Sequence, residues 1–98
     1  MLGSGRKNSA RHEALDRIEA WTRERFALPP GATVSIAELA CTLRGCAPLE
    51  TVVLFWIAEQ RYEFKLFKPV EEVVIDDLPY AWLKDALAVR EGFKWDCC

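Results

Sequence analysis

The chain has 98 residues, of which 51% are hydrophobic and 29% charged, a composition typical of a single globular domain. The net charge of −2 lacks the basic surplus of most nucleic-acid binders, so no nucleic-acid partner is expected. The longest apolar run, Val52 to Ala58, is far shorter than the roughly 20 residues that cross a membrane. No apolar segment near the start suits a secretory signal. The expected location is the cytoplasm, where thiols stay reduced.

Residues 1–8 are rich in glycine, serine and basic side chains, and they are predicted to form a disordered arm. A helix is predicted from Ser9, as its N-cap, to about Ala27, where Pro29 and Pro30 follow and cannot continue it. The helix would present one apolar stripe at helical spacing, formed by Leu15, Ile18, Trp21, Thr22 and Phe26.

Residues 32–40 allow two interpretations. The β-favouring run from Thr33 to Ile36 predicts a short strand. Ser35 and Glu38, however, have the spacing of a capping box that begins a helical turn. Both interpretations stay open, and a loop is expected from Cys41 to Leu49.

A β-hairpin is predicted next. Residues 50–58 form an almost unbroken run of β-branched, aromatic and apolar side chains, which is typical of a strand covered on both faces. A turn over residues 58–61 leads to a second strand over residues 62–68. This strand alternates, with Tyr62, Phe64 and Leu66 on one face.

A final helix is predicted after Asp76 or Asp77 as its cap, with Pro79 in its first turn and Gly92 at its end. Its apolar face would comprise Leu78, Trp82, Leu83, Ala86, Leu87 and Val89. The predicted fold is therefore α+β: an N-terminal helix, a small antiparallel sheet of two or three strands built on the hairpin, and a C-terminal helix packed on the sheet. The domain covers residues 9–92, and residues 93–98 form a tail.

Four cysteines are the clearest chemical feature. Cys41 and Cys46 flank a glycine-containing loop, whereas Cys97 and Cys98 end the tail. Four thiolates could form a tetrahedral zinc site, although adjacent cysteines rarely present both sulfurs to one metal. The main alternative is that the cysteines are structural, since free cysteine is among the most buried residue types. Thiol redox chemistry at Cys41 and Cys46 is a further alternative.

Two other sets of residues are candidates. Glu50, directly after the cysteine loop, could orient that loop or a ligand, although a glutamate at a strand start is more often solvated or locks the loop. Three aromatic residues fall outside the predicted core pattern and would form a partner surface if they stay exposed: Phe67, Phe93 and Trp95.

The run Cys41-Thr-Leu-Arg-Gly-Cys46-Ala-Pro48-Leu-Glu50-Thr51, with Lys68-Pro69 after the hairpin, resembles a loop of small uncharacterised bacterial proteins. Those proteins carry a proline where this chain has Ala47. The resemblance covers residues 34–78 and implies a bacterial, cytoplasmic protein, without implying any activity.

Together these features favour a small non-enzymatic accessory or interaction domain with another protein as its partner. A metal-binding protein that uses Cys41 and Cys46 with Cys97 and Cys98 is the second hypothesis, and a thiol redox protein is the third. No convergent set of catalytic residues is recognised in the sequence.

Overall fold

The computed structural model describes the backbone of residues 2–40, 44–45 and 48–89, together with their side chains from Ser9 onward. In chain order the elements are α1 (Leu2–Arg25), β1 (Val34–Ala40), β2 (Leu49–Ile57) and β3 (Gln60–Leu66). Three short 3-10 helices follow, at Val70–Glu72, Ile75–Asp77 and Ala81–Leu87. The α+β class is therefore confirmed, as are the N-terminal helix and the antiparallel sheet.

Helix α1 begins at Leu2, so Ser9 lies inside the helix and is not its N-cap. Adding residues to an existing helix costs little compared with starting one, which allows the extension. The C-terminus is set by Ala27, which adopts the left-handed conformation with φ of 50°. The N–H groups of Ala27 and Leu28 donate to the carbonyls of Glu24 and Arg23 at 3.3 and 2.9 Å. These paired bonds satisfy carbonyls that the helix end would otherwise leave free.

Strand β1 settles the open interpretation of residues 32–40, and the alternative of a helical turn is wrong. The whole strand pairs antiparallel with β2, from Val34 opposite Phe55 to Ala40 opposite Leu49. Glu38 does not cap its own backbone. Its two carboxylate oxygens instead accept hydrogen bonds from the Arg11 side chain at 2.7 Å and the Val70 N–H at 2.9 Å.

The predicted hairpin is confirmed, and β2 is the central strand of the order β1-β2-β3. Only Ala58 and Glu59 form its turn, so the turn is two residues shorter than predicted. Both adopt positive φ angles, of 48° and 72°. Positive φ at both positions matches the right-handed twist of the flanking strands, which makes the two-residue loop possible even without glycine.

One face of the sheet packs against α1 and forms the core. Ile18 and Phe26 of the predicted helical stripe are buried there, against Phe55 and Phe64 of the sheet. The Phe26 and Phe55 rings stack with their centroids 5.1 Å apart. Three residues of the segment after β3 complete this cluster: Val70, Val73 and Leu78.

The predicted C-terminal α-helix is wrong for the residues that the structure describes, where 3-10 turns take its place. Arg25 explains part of the difference. Its guanidinium donates to the carbonyls of Leu78 and Pro79 at 3.1 and 2.9 Å. In an α-helix the Pro79 carbonyl would accept from Leu83, whose N–H instead bonds the Tyr80 carbonyl at 2.9 Å. The segment Ala81–Leu87 therefore forms the tighter i→i+3 hydrogen bonds of a 3-10 helix.

Candidate interaction surface

Two aromatic side chains lie exposed and stacked on each other after the second 3-10 turn. Tyr80 is 65% exposed and Trp82 is 77% exposed. Their ring centroids lie 6.0 Å apart with an interplanar angle of 9°. We call this pair, together with the exposed Val74 and Ile75, the aromatic surface. Rings of this size usually contribute to a core, so their joint exposure marks the surface as unusual.

Arg25 holds the backbone beneath the aromatic surface. Besides Leu78 and Pro79, its guanidinium approaches the Ile75 carbonyl at 3.4 Å. Carbonyls of residues 75 and 79 therefore converge on one side chain, which brings the backbone at Ile75 close to the backbone just before Tyr80. A guanidinium presents several donors in a fixed plane and so suits this arrangement. Because Leu78 is buried in the core, the surface rests on an anchored support.

Asp77 fixes the turn that precedes the pair. Its carboxylate accepts a hydrogen bond from the Val74 N–H at 2.9 Å and binds the Lys68 ammonium at 3.0 Å. The Val74 N–H and the Lys68 charge hold the pKa of Asp77 below its ordinary value of 3.8, against the desolvation that raises it. Asp77 therefore caps the 3-10 turn Ile75–Asp77, and not a following α-helix as predicted.

The chain segment that carries the aromatic surface is rich in acids, and two bases from outside the segment, Arg25 and Lys68, contact it. Between residues 69 and 89 the chain carries Lys84 as its single base, against five acids: Glu71, Glu72, Asp76, Asp77 and Asp85. All of these acids except the half-buried Asp77 are exposed. Asp85 follows Trp82 by three residues in the 3-10 helix Ala81–Leu87, and side chains at that spacing lie on the same side. A ligand on the indole ring of Trp82 would therefore meet a carboxylate.

Of the predicted partner surface, Phe67 is 56% exposed. It lines a shallow groove of about 410 Å³ together with Pro48, Leu49, Lys68, Pro69 and Glu72. Phe93 and Trp95 lie outside the described residues. The groove is therefore a second apolar feature, located where β2 begins and β3 ends.

Glu50 is completely buried, and neither of its carboxylate oxygens accepts a hydrogen bond within the described part of the chain. The register puts it on the face of the sheet opposite the core, together with Val52, which is also buried. The ammonium of Lys65 lies 3.8 Å from Glu50, too far for a good hydrogen bond but close enough to balance its charge.

The four cysteines proposed as zinc ligands, Cys41, Cys46, Cys97 and Cys98, lie outside the residues that the structure describes. Within the described ranges, no group of three or more histidine, cysteine, aspartate or glutamate side chains could hold a metal ion. Zinc binding stays a prediction. Native mass spectrometry of protein purified without chelator, compared with the Cys41→Ser variant, checks it.

Sequence reasoning missed the aromatic surface. The helical pattern assigned Trp82 to a buried face with Leu78, but only Leu78 is buried. One signal was present: Tyr80 and Trp82 are two residues apart, a spacing that places side chains on opposite sides of an α-helix. The stack therefore requires a different backbone, and Pro79 directly before the pair favours an extended one, as Tyr80 shows with φ of −67° and ψ of 150°.

Comparisons with known protein families, with curated proteins and with solved structures return no match for this chain. No helix in the described part is both long and apolar enough to cross a membrane.

Proposed function

We propose that this chain is a small protein-interaction domain that docks a basic segment of another protein on the aromatic surface. The observation that supports this most is the stacked, exposed pair of Tyr80 and Trp82. Leaving two large rings in water forgoes the free energy of burying them, which a partner recovers on binding. Tyrosine and tryptophan are also the residues that most often dominate the binding free energy of an interface.

The support beneath the rings favours binding. Arg25 and Asp77 fix the backbone on either side of Leu78, and the two rings restrict each other by stacking. A surface that is already ordered loses less conformational entropy when a partner docks. The same rings on a mobile tail would bind more weakly at equal contact area.

The acids of this segment, Asp85 above all, indicate the chemistry of the partner. An arginine or lysine placed over the indole ring of Trp82 gains a cation–π interaction, and Asp85 lies close enough in the 3-10 helix to pair with the same cation. Val74 and Ile75 offer apolar contact to neighbouring aliphatic side chains. A segment that alternates basic and aliphatic residues therefore complements the aromatic surface.

The test uses a fluorescein-labelled peptide of alternating arginine and leucine, titrated with the full chain and followed by fluorescence anisotropy. A peptide with glutamate in place of arginine is the matched ligand. We expect saturable binding of the basic peptide alone. The Trp82→Ala variant should weaken it about tenfold or more, because central interface tryptophans carry contributions of that size.

The control variant is Phe67→Ala, which removes an exposed ring of similar size outside the aromatic surface. It should leave the anisotropy titration unchanged. Equal losses in Trp82→Ala and Phe67→Ala, or equal binding of both peptides, would contradict the proposed docking site. Raised salt should weaken the specific binding, because exposed charge pairs are screened.

A further inference from the structure

The two edges of the sheet are treated differently by the rest of the chain. At the outer edge of β3, the Val89 N–H donates to the Arg61 carbonyl at 2.8 Å, and Ala88 forms an antiparallel bridge with Tyr62. At the outer edge of β1, no backbone hydrogen bond comes from any described residue. Within the described part of the chain, the outer edge of β1 is thus a row of donors and acceptors without backbone partners, a template for another strand.

The register shows which backbone groups point outward. The Trp56 N–H donates to the Thr33 carbonyl at 3.1 Å, so residues 33 and 56 form a hydrogen-bonded pair. Such pairs alternate along an antiparallel ladder. Ser35, Ala37 and Leu39 therefore direct their N–H and C=O groups to β2. The residues between them direct theirs away from the sheet: Val34, Ile36, Glu38 and Ala40.

Strand β1 also lacks several of the features that usually protect an edge. It contains no proline, no lysine and no bulge over seven consecutive pairs with β2. Its single charged residue, Glu38, is bonded to Arg11 and to the Val70 N–H within the same chain. The edge therefore carries no free charge that would repel an incoming strand.

We propose that β1 pairs antiparallel with β1 of a second copy of this chain, about a two-fold axis beside Ala37, to form a continuous six-stranded sheet. This register overlaps the two strands over their whole length and bonds every outward N–H and C=O group of β1. Identical strands related by a two-fold axis must run antiparallel, which is the geometry of an isologous dimer.

Side chains across the axis are compatible in this register. Ile36 lies opposite the partner subunit's Glu38, so the two glutamates do not face each other directly. Ala37 lies opposite the partner subunit's Ala37, and two small, exposed side chains can lie this close together. The charges and sizes of the β1 side chains are therefore self-complementary, which supports a second copy as the occupant of this edge.

The experiment places like charges on the axis. Ala37→Lys and Ala37→Glu each put identical charges directly opposite one another, at Cβ separations of about 5 Å. Because the Ala37 side chain is exposed, both variants should fold, which circular dichroism checks. Sedimentation equilibrium over a range of concentrations then gives the dimer dissociation constant. We expect each variant alone to raise it about fivefold or more.

Mixing the two variants tests whether the charges meet at the axis. Equimolar Ala37→Lys and Ala37→Glu should form heterodimers at least as tightly as the unaltered chain forms homodimers, since opposite charges then meet on the axis. An unaltered chain that stays monomeric at every concentration would overturn the proposal. So would a dimer that neither variant weakens, because its interface would then lie elsewhere. The aromatic surface is not involved, so either result leaves the proposed peptide docking to be judged separately.

Discussion

Side-chain packing dominates between α1 and the sheet, whereas the segment from Val70 to Leu87 combines a few buried side chains with backbone hydrogen bonds to polar side chains. In the first region Phe55 is completely buried and stacks with both Phe26 and Tyr62. In the second region Arg25 and Asp77 bind backbone groups, and Tyr80 and Trp82 stay exposed. The difference shows how a small domain can keep large rings available: it fixes the backbone beneath them without burying them.

The largest expected effect is the difference in the free energy of unfolding between a core variant and a variant of the exposed rings. Phe55→Ala removes a buried ring from the core and should lower the free energy of unfolding by about 3–5 kcal/mol. Trp82→Ala removes an exposed ring and should change it by no more than about 0.5 kcal/mol. Urea denaturation of both variants measures the difference. If Trp82→Ala lowered the free energy of unfolding nearly as much as Phe55→Ala, Trp82 would belong to the core. The contrast between a packed core and exposed rings would then be wrong.

The second effect concerns the buried charge on the far face of the sheet. Lys65→Met leaves the buried carboxylate of Glu50 without its neighbouring positive charge and should cost about 3 kcal/mol. Glu50→Leu combined with Lys65→Met removes both charges and should be neutral or stabilising relative to the unaltered chain. Denaturation midpoints of Lys65→Met and of the double variant test this asymmetry. A double variant that loses as much stability as Lys65→Met would show that the ion pair itself stabilises the sheet.

Arg25 is expected to stabilise mainly the segment from Val70 to Leu87. Arg25→Lys keeps the charge but cannot reach the carbonyls of Leu78 and Pro79 with a planar fork, and should cost about 1.5 kcal/mol. Amide hydrogen exchange should quicken between residues 75 and 83 more than in β2. Arg23→Lys is the matched control, since the Arg23 side chain pairs with the partly exposed Glu19 one helical turn away and bonds no described backbone carbonyl. Uniform acceleration across the sheet would contradict the local role of Arg25.

The smallest effect comes from Asp77. Asp77→Ala removes the acceptor for the Val74 N–H and should cost about 1 kcal/mol, whereas Asp77→Asn keeps an acceptor and should cost less. The folded-state pKa of Asp77 lies below 3.8. Its contribution is therefore present above pH 3.8 and is lost as the pH falls through that value toward the lowered pKa.

Thermal unfolding at neutral pH and at about pH 3 tests this dependence. The unaltered chain should lose more stability than Asp77→Ala between the two conditions, because only the former has this carboxylate to protonate. An identical pH dependence in both proteins would assign the acid sensitivity to other groups. The prediction thus checks whether polar contacts hold this segment.

Much of the fold could be predicted because its signals are local. The alternation of Tyr62, Phe64 and Leu66 defines one face of β3, and the register confirms it. The stripe through Ile18 and Phe26 defines the buried side of α1. Both patterns depend on the repeat of a single element, which neighbouring residues determine.

The candidate site was harder to predict because it depends on contacts between distant residues. Arg25 and Pro79 are 54 residues apart in the chain, and no local pattern signals their hydrogen bond. The same is true of Glu38, which bonds Arg11 and the backbone of Val70 and so is not available for the capping box suggested by its spacing. A periodic apolar pattern after Asp77 therefore predicted a helix that those long-range bonds replace.

The sequence by itself determined the α+β class, the helix, the hairpin and the apolar faces that meet in the core, since hydrophobic periodicity and strand propensity act over a few residues. Only the tertiary structure decided three further features: that residues 34–40 form an edge strand, that Glu50 is buried beside Lys65, and that Tyr80 and Trp82 stack in solvent. Each of these results from a hydrogen bond, a charge or a strand pairing contributed by a distant part of the chain. Interactions between distant residues leave no pattern in the spacing of neighbouring residues, so the sequence alone does not reveal them.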